Sequence, residues 1–320
     1  LPLLQKIEKS NNLVYRLSAL FSMMRSSFTL LKLNDPLRMG AATAFFATFA
    51  LPPILIIFTQ FFRFAVDPNE LSSDLIDRLG HILGTNSARQ VEGVLEAVSG
   101  LSHSWYVTVL GFIFLMFVAT TLFDVIKNSL GQIWDIRIMP KPGIGFRLKY
   151  RLRSLIVIFL AGFLFLAGLV IESFQAIMGD YIDEVWGGGG WFFNRLINEI
   201  VFVVAVTIWL AFLFRFLTAG RPRWNICLGG GFFTAILFTL GKWILGYLLI
   251  RSNISTIYGA SGSMVLIMLF VFYSAMIFYY GGCFVKVLSD THDEPIRPVK
   301  KAFAIETQEI RIDPGPGIDL

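Results

Sequence analysis

Six long apolar segments, at 40–62, 105–126, 154–175, 196–217, 228–250 and 261–288, alternate with loops whose basic excess falls on one side. A helix crossing a bilayer needs about 20 predominantly apolar residues. Each segment meets that length and lies between polar or Gly/Pro-rich breaks. The pattern predicts an all-α, polytopic integral membrane protein with six transmembrane helices. A soluble helical core is excluded because six such helices would all need full burial, which one core of ordinary size does not supply. A β-barrel is excluded because the segments lack period-two alternation and are twice too long.

The loop charges fix the orientation. Lys6, Lys9, Arg16, Arg25, Lys32 and Arg38 precede the first segment. Lys127, Arg137, Lys141, Arg147, Lys149, Arg151 and Arg153 lie between the second and third. Arg215, Arg221 and Arg223 surround the next loop on that side, and Lys286, Arg297, Lys300, Lys301 and Arg311 follow the last segment. The opposite loops carry Asp67, Glu70, Asp74, Asp77, Glu92 and Glu96, then Asp180, Asp183 and Glu184, against few arginines. The positive-inside rule places both termini in the cytoplasm. The net charge of +5 is thereby assigned to orientation and to membrane lipids as partners, not to nucleic acid.

The expected organisation has three parts. Residues 1–36 form a cytoplasmic amphipathic segment, with Leu17, Leu20, Phe21, Met24 and Phe28 at helical spacing. Residues 37–289 form the membrane domain, with a helical outer segment at 63–104. Residues 290–320 are expected to be a disordered cytoplasmic tail. No cleavable signal peptide is expected, because the first apolar segment is too long and begins too far in. The glycine run 187–190 between Trp186 and Trp191 reads as a flexible turn between interface anchors.

Ionisable residues inside spans are the first candidates for function, since each is costly to bury in lipid. Gly231, Ala235, Lys242 and Gly246 share one helical face, so Lys242 is expected to face the bundle interior. Glu172 and Glu199 enter neighbouring spans at a similar outer level, and either one is a candidate partner for it. At the inner end, Thr120, Asp124 and Asn128 share a face, and an Asp124–Arg215 contact is expected to form an inner gate. Leu51-Pro52-Pro53 removes two backbone donors, so Pro52 and Pro53 are expected to kink or break the first span. Static ion pairs, snorkelling side chains and a structural kink are the competing readings of these features.

Catalytic motifs do not appear. There is no His-Glu-x-x-His helix and no nucleophile elbow, and the carboxylates are divided between the two membrane faces. Cys227 and Cys283 form no thiolate framework, and His81, His103 and His292 are scattered. The reading is therefore a non-enzyme without cofactor or metal.

The last apolar segment is introduced by Tyr258-Gly259-Ala260-Ser261-Gly262-Ser263-Met264-Val265 and ends near Tyr280-Gly281-Gly282. Together with Leu51-Pro52-Pro53, Leu122-Phe123, Ile133-Trp134 and the loop from Arg215-Phe216-Leu217 to Trp224, it resembles the YihY / virulence factor BrkB family of bacterial inner-membrane proteins. The resemblance runs collinearly over most of 38–288. It implies six spans, cytoplasmic termini and a bacterial plasma-membrane location. This chain has Gly281-Gly282-Cys283 where the family usually carries Gly-Ala-Glu, so Cys283 replaces a commonly acidic residue. Members have been labelled ribonucleases, a chemistry that no residue set here supports.

The function expected is transport, export or lipid translocation of an anionic or envelope-related substrate. Its path candidates are Pro52, Pro53, Asp124, Glu172, Glu199, Arg215, Lys242, Tyr258, Gly259, Gly262, Ser263 and Cys283. The alternative is a non-transporting membrane scaffold or envelope-integrity factor. Small-residue helix faces leave room for a homo-oligomer.

Overall fold

A computed structural model of the chain describes residues 2–62, 105–138, 190–251, 262–299 and 302–305. The helices are α1 (Pro2–Leu33), α2 (Pro36–Phe62), α3 (Trp105–Ile133), α4 (Gly190–Phe216), α5 (Trp224–Arg251) and α6 (Gly262–Thr291). Short strands lie between and after them: β1 (Ile136–Ile138), β2 (Gly220–Arg221), β3 (Arg297–Pro298) and β4 (Ala302–Ala304).

Among the described residues, four stretches are long and apolar enough to cross a membrane: Val109–Ile133, Glu199–Phe216, Trp224–Ile244 and Met264–Thr291. They coincide with the second, fourth, fifth and sixth segments anticipated from sequence. The first anticipated segment lies within α2; the third, at 154–175, and the outer segment 63–104 lie outside the described residues. Phe112, Phe117, Ile208 and Trp243 are exposed on these helices. Outward apolar side chains are what a lipid solvent accommodates, since burial in protein gains nothing over burial in acyl chains.

Helix α3 runs beyond the expected end at 126 because residues 127–133 keep an inward face. Phe123, Leu130 and Ile133 are all buried at helical spacing. Helix α4 begins at Gly190, so Gly190 belongs to a helix and not to the expected turn, whose other glycines, 187–189, lie outside the described residues. Helix α2 continues through Pro52 and Pro53. The expected break is not present there.

Helix α6 is the hub. It packs on α1, α2, α3 and α5, while α4 packs on α5 and α2 on α3. Its approach to α5 depends on absent side chains: a Cβ on Gly281 would collide with Thr234, and one on Gly230 with Val285. Polar groups buried at this level satisfy themselves locally. Thr234 Oγ1 donates to the Gly230 carbonyl at 2.6 Å, and Thr48 Oγ1 to the Ala44 carbonyl at 2.8 Å.

One end of the bundle, here called the base, gathers the start of α2 and α5 and the ends of α3, α4 and α6. There the chain after α6 folds back. β4 pairs antiparallel with β1, with Ile136 opposite Ala304 and Arg137 opposite Phe303. β3 pairs antiparallel with β2, with Gly220 opposite Pro298 and Arg221 opposite Arg297. The Val299 amide extends the second ladder to the Ala219 carbonyl at 2.8 Å. Residues 292–299 and 302–305 therefore are not the disordered tail expected from their polar composition, and the fold is not purely helical. Ile296 supplies the reason: it is buried against the Gly220 and Trp134 side of the base, and its apolar burial anchors an otherwise polar strap.

Turns at the base are tight. Asp35, Asp135 and Asp293 all have positive φ, between 51° and 55°, each beside a helix end. Aspartate tolerates this left-handed region better than most residues because its short side chain can hydrogen-bond locally.

Candidate functional site

Lys242 lies 18 residues into α5, so it stands about 27 Å from the start of that helix at Trp224. Glu199 lies 17 residues before the end of α4, a similar height above the base. Because α4 and α5 run antiparallel and in contact, the two side chains meet near the far end of the bundle. Lys242 Nζ lies 3.6 Å from Glu199 Oε1. It also lies 4.3 Å from the centre of the Phe202 ring, one turn beyond Glu199 on α4. The pair is thus an ion pair with a cation–π contact on the same ammonium.

The small-residue face of α5 brings the helices together. A Cβ on Gly231 would come within 2.7 Å of the Thr207 carbonyl oxygen, and Ala235 is fully buried. Lys242 continues that face, but its side chain is 50% exposed and that of Glu199 33% exposed. The expectation that Lys242 is enclosed by the bundle is corrected accordingly. The charge sits on the open flank of the α4–α5 seam, bordered by exposed Ile200, Val204, Trp243 and Ile244. The second carboxylate oxygen of Glu199 is buried and has no hydrogen-bond partner. The half-exposed Lys242 ammonium is the part of this pair that a further charged or hydrogen-bonding group can reach.

Asp124 and Arg215 are not brought together. The Asp124 carboxylate lies 3.8 Å from Lys127 on its own helix. Arg215 donates to the Pro222 carbonyl, and its guanidinium lies 5.2 Å from the Trp224 ring. Each is satisfied within its own helix or the adjoining loop, so the expected inner gate between them is absent. Cys283 is fully buried in α6.

Pro52 and Pro53 lie within α2, and Gly262 and Ser263 begin α6. Glu172, Tyr258 and Gly259 lie outside the described residues. Among the described residues no group of three or more His, Cys, Asp or Glu side chains is assembled for a metal ion.

Two polar contacts between helices were not anticipated. Trp134 donates through its indole N–H to the Gly282 carbonyl. Thr43 and Tyr279 share a buried 2.6 Å hydrogen bond between α2 and α6, with Ser129 of α3 beside the tyrosine hydroxyl. Both involve aromatic residues within otherwise apolar runs, and a polar handle on a buried aromatic is the signal that could have found them.

The half with these contacts is filled. Trp134, Tyr279, Phe214, Leu130 and Leu210 are among its fully buried side chains.

The family model for virulence factor BrkB matches residues 28–305. The chain belongs to the virulence factor BrkB family. Relatives include a UPF0761 membrane protein of Pseudomonas paraeruginosa, 26% identical over 208 residues, covering 64% of this chain and 48% of the relative. A UPF0761 membrane protein of Methylibium petroleiphilum is 26% identical over 248 residues, covering 76% of this chain and 56% of its own length. One from Chlorobium phaeobacteroides is 26% identical over 201 residues, covering 62% and 44%. The chain spans about half the length of the curated relatives it matches. No solved structure matches it. As a BrkB-family chain with several long apolar helices, it is a multi-pass membrane protein.

Proposed function

We propose that this chain forms the membrane domain of an inner-membrane transporter or lipid-translocating protein for an anionic or envelope-related substrate. The supporting observation is the Lys242–Glu199 pair. It is a charged site on an open helix seam at membrane depth, bordered by lipid-facing side chains. A buried charge that served only packing would be enclosed and fully hydrogen-bonded. This one is half open at the ammonium, so it can exchange partners. An anion approaching along the seam competes with Glu199 for the ammonium, and release restores the pair.

In the same reading the chain crosses the membrane six times with both termini in the cytoplasm, and the base is the cytoplasmic face. The support is electrostatic: Arg38, Lys127, Arg137, Arg215, Arg221, Arg223, Lys286 and Arg297 all belong to the base elements. The role is non-enzymatic, and self-association through exposed helix faces is compatible with it.

The test is reconstitution into liposomes with a panel of anionic solutes and fluorescent lipids, comparing the unmodified protein with Lys242→Met. Substrate movement lost in a variant that still folds supports the proposal. Movement unaffected by the substitution, or absent for every substrate offered to the unmodified protein, counts against it.

A second reading, a non-transporting scaffold or envelope-integrity factor, has its own support. The base is filled with large side chains and strapped by two small sheets, an arrangement suited to rigidity. Cysteine accessibility along α4 and α5 separates the two: a scaffold gives the same labelling pattern at all times, whereas a transporter changes it when substrate is added.

A further inference from the structure

The β2–β3 ladder sets Arg221 directly opposite Arg297. Directly opposed residues in an antiparallel pair project from the same face, and like charges in that position destabilise the pairing. The adjoining Val299-to-Ala219 amide bond fixes the alternation, so the arginines occupy a pair whose Cα atoms are about 5.5 Å apart. A ladder of two residues has little with which to offset that repulsion.

Neighbouring carboxylates do not offset it either. Glu294, the acid nearest in sequence to β3, is paired with Arg223. Arg215 is committed to the Pro222 carbonyl and the Trp224 ring. The Nε of Arg221 is buried and has no hydrogen-bond partner, which is an uncommon and unfavourable state for a guanidinium donor. Three residues on, α5 begins with no acidic residue in its first turn. Its leading amides and dipole therefore add positive potential on the same side. Topology rules require cations in this loop, but they do not require two of them face to face in a strand register.

We infer that Arg221 and Arg297 form a binding site for a phosphate group at the base of the bundle. Two long side chains opposed in register can both reach one phosphate, which arginine binds by paired N–H donors. A phosphate between them turns the repulsion into two charge-assisted contacts. Four residues separate the end of α4 from Arg221, which puts the site at headgroup depth. The phosphate is that of an anionic phospholipid headgroup or a soluble phosphate. The inference stands apart from transport, since it does not involve the Lys242 seam.

The test uses the full chain in nanodiscs and reads the thermal midpoint. Discs of phosphatidylcholine are compared with discs containing phosphatidylglycerol, and inorganic phosphate is titrated into the first set. The unmodified protein is expected to gain stability from one of the two. Gain only with phosphatidylglycerol identifies the phosphate of a net anionic headgroup, free of the choline cation that neutralises it in phosphatidylcholine, whereas gain from inorganic phosphate in phosphatidylcholine discs identifies a soluble one. Arg221→Gln and Arg297→Gln each raise the half-saturating ligand concentration about tenfold, as loss of one charge-assisted contact implies. Arg137→Gln, on the other ladder, leaves it unchanged. Arg297→Glu offers Arg221 a carboxylate, so it raises the midpoint in plain phosphatidylcholine and abolishes the gain. The inference is overturned if the double Arg221→Gln, Arg297→Gln variant keeps the gain or if Arg137→Gln loses it equally. It is overturned too if the unmodified protein gains from neither ligand, or if Arg297→Glu lowers the midpoint and keeps the gain.

Discussion

The indole nitrogen of Trp134 lies 2.9 Å from the main-chain carbonyl oxygen of Gly282, tying the chain just beyond α3 to the interior of α6. Gly282 makes the approach possible, because a Cβ there would reach within 2.5 Å of Leu130. Trp134 is only 2% exposed, so the bond operates out of water. Trp134→Phe keeps most of the packing and removes the donor, and is expected to cost about 1–3 kcal/mol. Trp134→Ala also opens a cavity and should cost about 3–5 kcal/mol. Denaturant melts in detergent, followed by near-ultraviolet circular dichroism, measure both.

The α5–α6 crossing predicts a steric effect. Gly281→Ala forces a methyl group onto Thr234, which is fully buried and cannot move aside. A loss of about 1–3 kcal/mol is expected from overpacking. Thr234→Ala removes the colliding hydroxyl and methyl but leaves its Cβ 2.9 Å away, so it rescues Gly281→Ala only in part. A double-mutant cycle on thermal midpoints should show favourable coupling between the two substitutions. Purely additive losses would mean that the helices are not in contact there.

These two sites show how far sequence reading goes. The apolar runs announced α3, α4, α5 and α6 because length and composition alone decide whether a helix suits a bilayer. Which helix faces which is not encoded in any single segment. Lys242 therefore had two candidate partners, and Asp124 and Arg215 were matched by depth alone although Lys127 and Pro222 were nearer in sequence. Helix α2 continues through Pro52 and Pro53, which excludes a break there and leaves a kink compatible with the lost donors. The strap at 292–299 and 302–305 is not legible in the sequence because strands of two or three residues have no measurable periodicity. Its most buried anchor, Ile296, is a small signal against Glu294, Arg297 and the flanking prolines.

Tyr279 offers a milder test. Its hydroxyl shares a proton with Thr43 across 2.6 Å, and Thr43 also donates to the Met39 carbonyl at 2.9 Å. Because the threonine retains an alternative partner, Tyr279→Phe is expected to cost only about 1 kcal/mol. Thr43→Val should cost a similar amount, and the double variant less than the sum. Unfolding midpoints in mixed micelles give the comparison. A loss above that of Trp134→Ala would show that Tyr279 does more than join α2 to α6.

Asp135 links the base to pH. It follows α3 outside the apolar stretch, and burial pushes its carboxyl above the ordinary value of 3.8. Nearby Lys286 pulls it down and Asp290 pushes it up, both more weakly than burial. A raised folded value means the folded protein holds this proton more tightly than the unfolded one. The associated stability is fully present below pH 3.8 and is lost as pH rises through the folded value. Asp135→Asn cannot titrate and keeps a residue that tolerates the observed φ of 55°. Its midpoint relative to the unmodified protein should therefore climb as pH rises through that window and level off above it. A difference that stays flat with pH excludes Asp135 as the titrating group.

At the far end of the bundle, stability and function should separate. The Lys242–Glu199 pair is half exposed and 3.6 Å long. Polar contacts between helices in a bilayer contribute about 0.6 kcal/mol on average, so Lys242→Met should fold with a nearly unchanged midpoint. Under the transport reading it should also lose anion-dependent flux in liposomes. The reciprocal exchange, Lys242→Glu with Glu199→Lys, distinguishes charge pairing from position. It restores an ion pair, but it moves the cation from α5 to α4, away from its present place 4.3 Å from the Phe202 ring centre. The exchanged protein should therefore fold like the unmodified one and still fail to transport. Recovery of flux by the exchange would mean that the pair's attraction alone is needed, as in a structural clasp. Loss of folding in Lys242→Met would place these charges among the supports of the bundle and favour the scaffold reading.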